Sequence, residues 1–163
     1  MVVVSDTTPV NYLLLIGEID LLQQLFGRVL LPQAVVTELL HPDAPFLVSA
    51  WAASLPAWIE VKTIIEVDPA YTLASLHLGP GEQEALTLAK QEKAGLIILD
   101  ERRARNVAQL DGLTVTGTLG IIEMAAKQGL VDLNNALTAL QKTSIYLSPE
   151  LTNSILKRNN LAK

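Results

Sequence analysis

Four acidic residues occupy positions from which a hydrolytic site can be built. Asp6 follows the β-branched run Val2-Val3-Val4, and Asp100 follows the apolar run Leu96–Leu99. Glu82 stands at the start of the helical segment that precedes that second run, and Glu38 lies in a helical segment behind Val29-Leu30-Leu31-Pro32. Gathered in one cleft, such carboxylates repel, by about 4 kcal/mol for a pair roughly 4 Å apart at an effective dielectric near 20. The cluster persists if a divalent cation neutralises it. An all-oxygen donor set selects a hard ion, Mg²⁺ or Mn²⁺, over zinc. A cation of that kind binds a phosphodiester oxygen, lowers the pKa of a water and supports in-line attack.

Each acid also has a plainer role open to it. Helical phase puts Glu82 on the face of Ala85, Leu86 and Ala89, where a carboxylate is costly without a partner. In the first turn it could instead complement the helix dipole. Glu84 falls nearly opposite and is expected in solvent. Glu38 sits at the margin of a stripe formed by Val35, Val36 and Leu39, as an ordinary surface glutamate would. Asp6 and Asp100 could each cap the helix that follows, although Thr7 or Thr8 can cap in place of Asp6.

The elements that must position these groups alternate between short β-rich runs and helical periods. Strands are expected at Val2–Val4, Val29–Leu31, Trp58–Val61, Leu96–Leu99 and Leu113–Thr116. Between them, helices are expected from Pro9 to about Gly17, from Ile19 to Gly27, from Pro32 to Leu40, and over Phe46–Ala53, Glu82–Lys93 and Glu101–Leu110. Three more follow, from Thr118 to about Gln128, over Asp132–Thr143 and over Pro149–Arg158. The stretch Ile64–Leu78 is poorly patterned and reads as a loop or a short variable element. This alternation predicts an α/β fold, a central parallel sheet of four or five strands with helices on both faces. Ligands of such sheets bind beyond the carboxyl ends of the strands, which is where the acids stand.

Composition sets outer limits. The 163 residues are 50% hydrophobic and 18% charged, which excludes a disordered chain and suits one domain. With no cysteine there is no disulfide, thiolate metal site or cysteine nucleophile. The apolar runs are too short to span a membrane and no secretory signal is visible, so a cytoplasmic protein is expected. The net charge of −5 argues against nucleic acid as a partner, but a metal enzyme must gather carboxylates, and bound cations reverse their local sign.

Several segments together resemble the PIN-domain (PilT N-terminus) family. Ser5-Asp6-Thr7-Thr8-Pro9 is similar to its opening strand motif, and Val29 to Leu39 to its second block, a strand, a proline and a helix bearing the glutamate. Gly81-Glu82-Gln83-Glu84-Ala85, Leu96-Ile97-Ile98-Leu99-Asp100 and Val115-Thr116-Gly117-Thr118-Leu119-Gly120 resemble the later blocks. The resemblance covers roughly residues 2 to 130, with C-terminal helices over about 131–160 completing a single domain. It implies an Mg²⁺- or Mn²⁺-dependent endoribonuclease, with Asp6, Glu38, Glu82 and Asp100 as catalytic and metal-binding acids. Glu84 and Glu101 remain alternatives for a place in that site. It also implies a toxin of the VapC type, with an antitoxin partner and a homodimeric state.

Thr7, Arg102, Arg103, Arg105, Thr116 and Thr118 are candidate RNA contacts. The arginines cluster after Asp100, Thr116 and Thr118 flank a turn into a helix whose free N–H groups could receive a phosphate, and the Thr7 hydroxyl could orient Asp6 or a metal-bound water. For any one arginine a solvated face with salt bridges is the simpler account; for Thr7 a plain helix cap stands equally beside the functional role, and Gly117 can make a tight strand-to-helix turn as well. Leu133, Leu137 and Leu140 read as core, and the isolated His41 and His77 as structural or surface residues. Trp51 and Trp58 read as core, and with aromatics at 4% base stacking is expected to play a minor part. Lys157, Arg158 and Lys163 form a small basic tail without an assigned role. The competing function is a non-catalytic PIN-like module that binds protein or RNA. A phosphotransfer domain fits less well, because Asp6-Thr7-Thr8 lacks the second aspartate of the haloacid dehalogenase motif.

Overall fold

The computed structural model describes residues 1–161; Lys163 of the basic tail lies outside them. Among these residues, five strands form one sheet in which every neighbouring pair is parallel. They are β1 (Val3–Ser5), β2 (Val29–Pro32), β3 (Ile59–Lys62), β4 (Leu96–Ile98) and β5 (Val115–Thr116). The spatial order is β3-β2-β1-β4-β5, with Val4 opposite Leu30 and Val3, Val4 and Ser5 opposite Leu96, Ile97 and Ile98. The chain therefore builds outward on one side of β1 and then returns to its other side. The sheet's switch point lies between β1 and β4, and a crevice at the carboxyl ends of those strands is the preferred ligand position of such a fold.

Helices cover both faces, as the alternation predicts. On one face α1 (Thr7–Leu15), α2 (Leu21–Phe26), α3 (Gln33–Leu39), α4 (Phe46–Ala53), α7 (Thr118–Lys127), α8 (Leu133–Gln141) and α9 (Pro149–Leu156) pack around Val3, Leu31 and Ile98. On the other, α5 (Pro80–Gln91) and α6 (Arg102–Leu110) pack around Val4, Leu30, Ile97 and Leu99. Strand side chains alternate between the two faces, so a three-residue strand such as β4 contributes to both cores. Ile97 and Ile98 are fully buried, and truncating either to alanine should cost about 2–5 kcal/mol. Leu133, Leu137 and Leu140 are buried in the first of these cores.

Three local details refine the sequence expectation. Helix α1 begins at Thr7, two residues before Pro9, with Asp6 rather than Thr8 at the N-cap position. The stretch between β3 and α5, expected as a loop or a short variable element, holds two short 3₁₀ turns, Pro69–Tyr71 and Ala74–Leu76. Helix α9 stops at Leu156, and a π-helical turn carries the chain over Lys157–Leu161.

Candidate active site

Asp6 links a strand to a helix. Its backbone N–H continues the sheet ladder to the Ile98 carbonyl at 3.1 Å, while the next residue opens α1. The side chain is only 4% exposed, makes no capping bond, and leaves Oδ1 buried without a hydrogen-bond partner. Burial pushes the Asp6 carboxyl up to about 7; the Thr7 backbone N–H pulls the other way, and the charges of Glu82, Glu38 and Asp100 add to the rise. These three are therefore the acids near enough for their charges to reach it.

Glu38 reaches across from α3. Its Oε1 accepts the Thr7 hydroxyl at 2.7 Å and its Oε2 accepts the Gly81 backbone N–H at 2.9 Å. The second bond satisfies an amide in the first turn of α5, which has no intrahelical partner. Glycine is needed here for closeness: a Cβ on Gly81 would lie 2.5 Å from Glu38 Oε2. Glu82, one residue on, folds back so that Oε1 accepts the Gly79 N–H at 2.9 Å. Its pKa is raised, chiefly by burial, against the lowering by Gly79 and with Glu101 and Glu38 adding.

Asp100 lies just past β4 and was expected to cap the helix after it. Instead Glu101 caps α6, accepting the Arg103 and Ala104 N–H groups at 2.8 and 3.2 Å. Asp100 turns to the neighbouring unit and caps α7: Oδ1 accepts the Thr118 N–H at 2.7 Å and Oδ2 the Thr118 hydroxyl at 2.5 Å. A Cβ on Gly117 would stand 2.5 Å from Asp100 Oδ1, so this turn too excludes a larger residue.

Glu84 is a correction. It is half-buried rather than solvated, and its Oε1 accepts the Ala34 N–H at 3.0 Å in the first turn of α3. Helix α5 is buried on more than one side, by the sheet and by α3, so the face opposite the sheet stripe is not free. Sequence periodicity sees one apolar stripe and cannot see a second helix.

The N-termini of α3, α5, α6 and α7 thus each meet a carboxylate at the carboxyl end of the sheet. Positive helix ends and unpaired N–H groups lessen the mutual repulsion of the acids. As the side chains stand, no three carboxylates or imidazoles among the described residues converge closely enough to hold one ion. The donor set still fits a hard divalent cation. All its donor atoms are oxygen, and Asp6 Oδ1, buried without a hydrogen-bond partner among the described residues, has capacity to spare.

A family model described as a PIN domain matches residues 2–160. The chain belongs to the PIN-domain family. No curated protein and no solved structure matches it. PIN domains are generally nucleases, so this is a nuclease-type fold, and the match extends through the C-terminal helices beyond the blocks quoted above. No helix among the described residues is long and apolar enough to cross a membrane.

Within this PIN domain the remaining candidates separate. Arg102 and Arg103 are exposed and have no ion-pair partner among the described residues. Arg105 is half-buried, and its Nη1 donates to the Leu99 carbonyl at 2.8 Å beside Gly117. Thr7 holds Glu38 and does not cap α1, and buried Thr118 holds Asp100. The Thr118 N–H, an α7 amide that could have received a phosphate, donates to Asp100 Oδ1 instead. Thr116 is half-buried at the end of β5, its hydroxyl packed on Gly120. His41 and His77 are exposed. A cavity of about 440 Å³ opens beside Asp100, lined also by Arg105, Thr116, Gly117, Tyr12, Tyr146 and Leu147. Nothing in the local sequence around Tyr146 announces that position.

Proposed function

We propose that this PIN domain is a metal-dependent endoribonuclease that hydrolyses RNA phosphodiester bonds, with Mg²⁺ or Mn²⁺ held by Asp6, Glu38, Glu82 and Asp100. The observation that carries the reading is Asp6: a carboxylate buried at the sheet's switch point, unpartnered at Oδ1, and surrounded by three further acids from separate elements. When bound, the cation supplies charge neutralisation, a Lewis acid for a phosphoryl oxygen and a more acidic water.

The chain's own groups have distinct tasks. Asp6 holds a proton near neutral pH and gives it up to become a ligand. Thr7 orients Glu38, Gly79 orients Glu82, and Thr118 orients Asp100, each through a bond of 2.9 Å or less. Such partners fix ligand geometry as the supporting hydrogen bonds of metal sites do. Arg102 and Arg103, exposed on α6 just beyond Asp100, receive RNA phosphates, while Arg105 and Thr116 line the cavity at the site's edge. A toxin role, with an antitoxin partner and a homodimer, follows from the VapC resemblance and is tested by co-purification and by light scattering.

One observation favours the second reading, a non-catalytic module that binds protein or RNA. Glu38, Glu82, Glu84, Glu101 and Asp100 all bind backbone N–H groups, a structural use sufficient in itself. The experiment that divides the two is incubation with single-stranded RNA in Mg²⁺, in Mn²⁺ and in EDTA, with Asp6→Asn and Asp100→Asn alongside and their folding checked by circular dichroism. Metal-dependent cleavage lost in folded variants establishes the nuclease. Absence of cleavage across several RNAs, together with no Mn²⁺ binding, leaves the module.

A further inference from the structure

We propose that the cavity beside Asp100 is a nucleobase pocket, in which Tyr146 stacks on an unpaired base of the RNA next to the phosphate at the acidic site. The proposal rests on RNA being the substrate, and it adds how that substrate is gripped.

Aromatic residues are scarce in this chain, which has three tyrosines, yet two of them, Tyr12 and Tyr146, line this one cavity. Tyr146 is 82% exposed. The strap that carries it, between α8 and α9, is nonetheless anchored on both sides. Ile145 and Leu147 pack against the core, Tyr12 and Ser144 share a hydroxyl bond of 3.0 Å, and the Ser148 hydroxyl accepts the Leu151 N–H at 3.1 Å. Anchored neighbours fix where the ring is attached while leaving it in water, and it gains burial when a flat partner covers it.

The charges of the cavity favour a base over a phosphate. Asp100 and Arg105 both line it, and so do Glu123 and Arg158, which form an ion pair. Both Asp100 oxygens are already occupied by Thr118, and Arg105 already donates one N–H to Leu99. The balance is near neutral, with polar edges between apolar walls. A base offers the matching chemistry, two π faces to stack and an edge to hydrogen-bond, and an unpaired base exposes all three. The volume of about 440 Å³ lies in the range of small-ligand pockets.

The test is fluorescence anisotropy of a labelled single-stranded RNA, and of the same RNA with one abasic position moved along it, in EDTA. Wild type, Tyr146→Ala and Tyr146→Phe are compared. Tyr146→Ala is expected to weaken binding of the intact RNA about tenfold, and Tyr146→Phe to keep it within about twofold. An abasic site at one position should cost the wild type a similar factor and cost Tyr146→Ala nothing further. Equal affinity of wild type and Tyr146→Ala, an abasic effect that survives Tyr146→Ala, or no RNA binding at all would overturn the pocket. Cleavage of the same RNAs in Mn²⁺ is scored separately. Cleavage without the Tyr146 coupling removes the pocket and keeps the nuclease, whereas coupling without cleavage keeps the pocket and removes the nuclease.

Discussion

Glu38 caps a helix to which it does not belong: its Oε2 accepts the Gly81 N–H at 2.9 Å across 43 positions of sequence, while its Oε1 holds the Thr7 hydroxyl at 2.7 Å. One carboxylate thereby ties α1, α3 and α5 together beside Asp6. The arrangement depends on the missing side chain of Gly81. Gly81→Ala should lower stability by about 1–3 kcal/mol in urea unfolding, because the methyl displaces a half-buried acid from its donor. In a Glu38→Ala background the same change should instead be neutral or stabilising by up to about 1 kcal/mol, since alanine is the better helix former once the clash is gone. A cost that is equal in both backgrounds would refute the account.

Stability without metal should fall as pH rises. Asp6 moves from an ordinary 3.8 to about 7 in the fold, so between those values the folded chain binds the extra proton and the unfolded chain does not. The stabilisation is complete below about pH 4 and is lost as pH climbs through 7. Glu82 is shifted in the same direction and adds with the same sign. Asp6→Asn, neutral at every pH, should exceed the wild type at pH 8 by roughly 2–4 kcal/mol and remove much of the slope between pH 5 and 8. A wild type that gains stability over that interval would contradict the assignment.

Binding of Mn²⁺ should reverse that dependence. A cation must displace the Asp6 proton, so the rise in Tm on adding Mn²⁺ should be larger at pH 8 than at pH 6. It should be absent in Asp6→Asn at both. A pH-independent shift that persists in Asp6→Asn would place the ion elsewhere.

The legible parts of this molecule were those set by local periodicity. The β-branched run before Asp6 and the apolar run before Asp100 announce buried parallel strands, and two such strands with helices between them place their carboxyl ends on one edge. Helical phase put Glu82 on the buried face of α5, where its half-buried carboxyl is found. What could not be read was each acid's partner. Asp100 meets Thr118 only because β5 pairs with β4, and Glu84 meets Ala34 only because α3 packs on α5. The same holds for Arg105, whose partner is a strand-end carbonyl, and for Tyr146, whose strap crosses to Asp100 through tertiary packing alone.

Glu82 and Glu84 offer a direct comparison. They lie in one turn of one helix, and of the two only Glu82 is close enough for its charge to raise the Asp6 carboxyl. Glu82→Gln should remove RNA cleavage while keeping the Gly79 bond and the fold. Glu84→Ala should cost about 1 kcal/mol through loss of the α3 cap and should leave cleavage unchanged. Cleavage that depends on Glu84 and not on Glu82 would exchange the two assignments.

The strand order has a consequence for the chain as it is being made. β1 emerges first and can pair with β2 soon after, but its other neighbour is β4, and Asp100 comes later still. A nascent or truncated polypeptide that ends before β4 therefore carries Asp6, Glu38 and Glu82 without the strand that closes the crevice around them. If the acids cut RNA, no fragment released early by the ribosome can do so, and the protein's first RNA neighbours are out of reach until synthesis has passed the centre of the sheet.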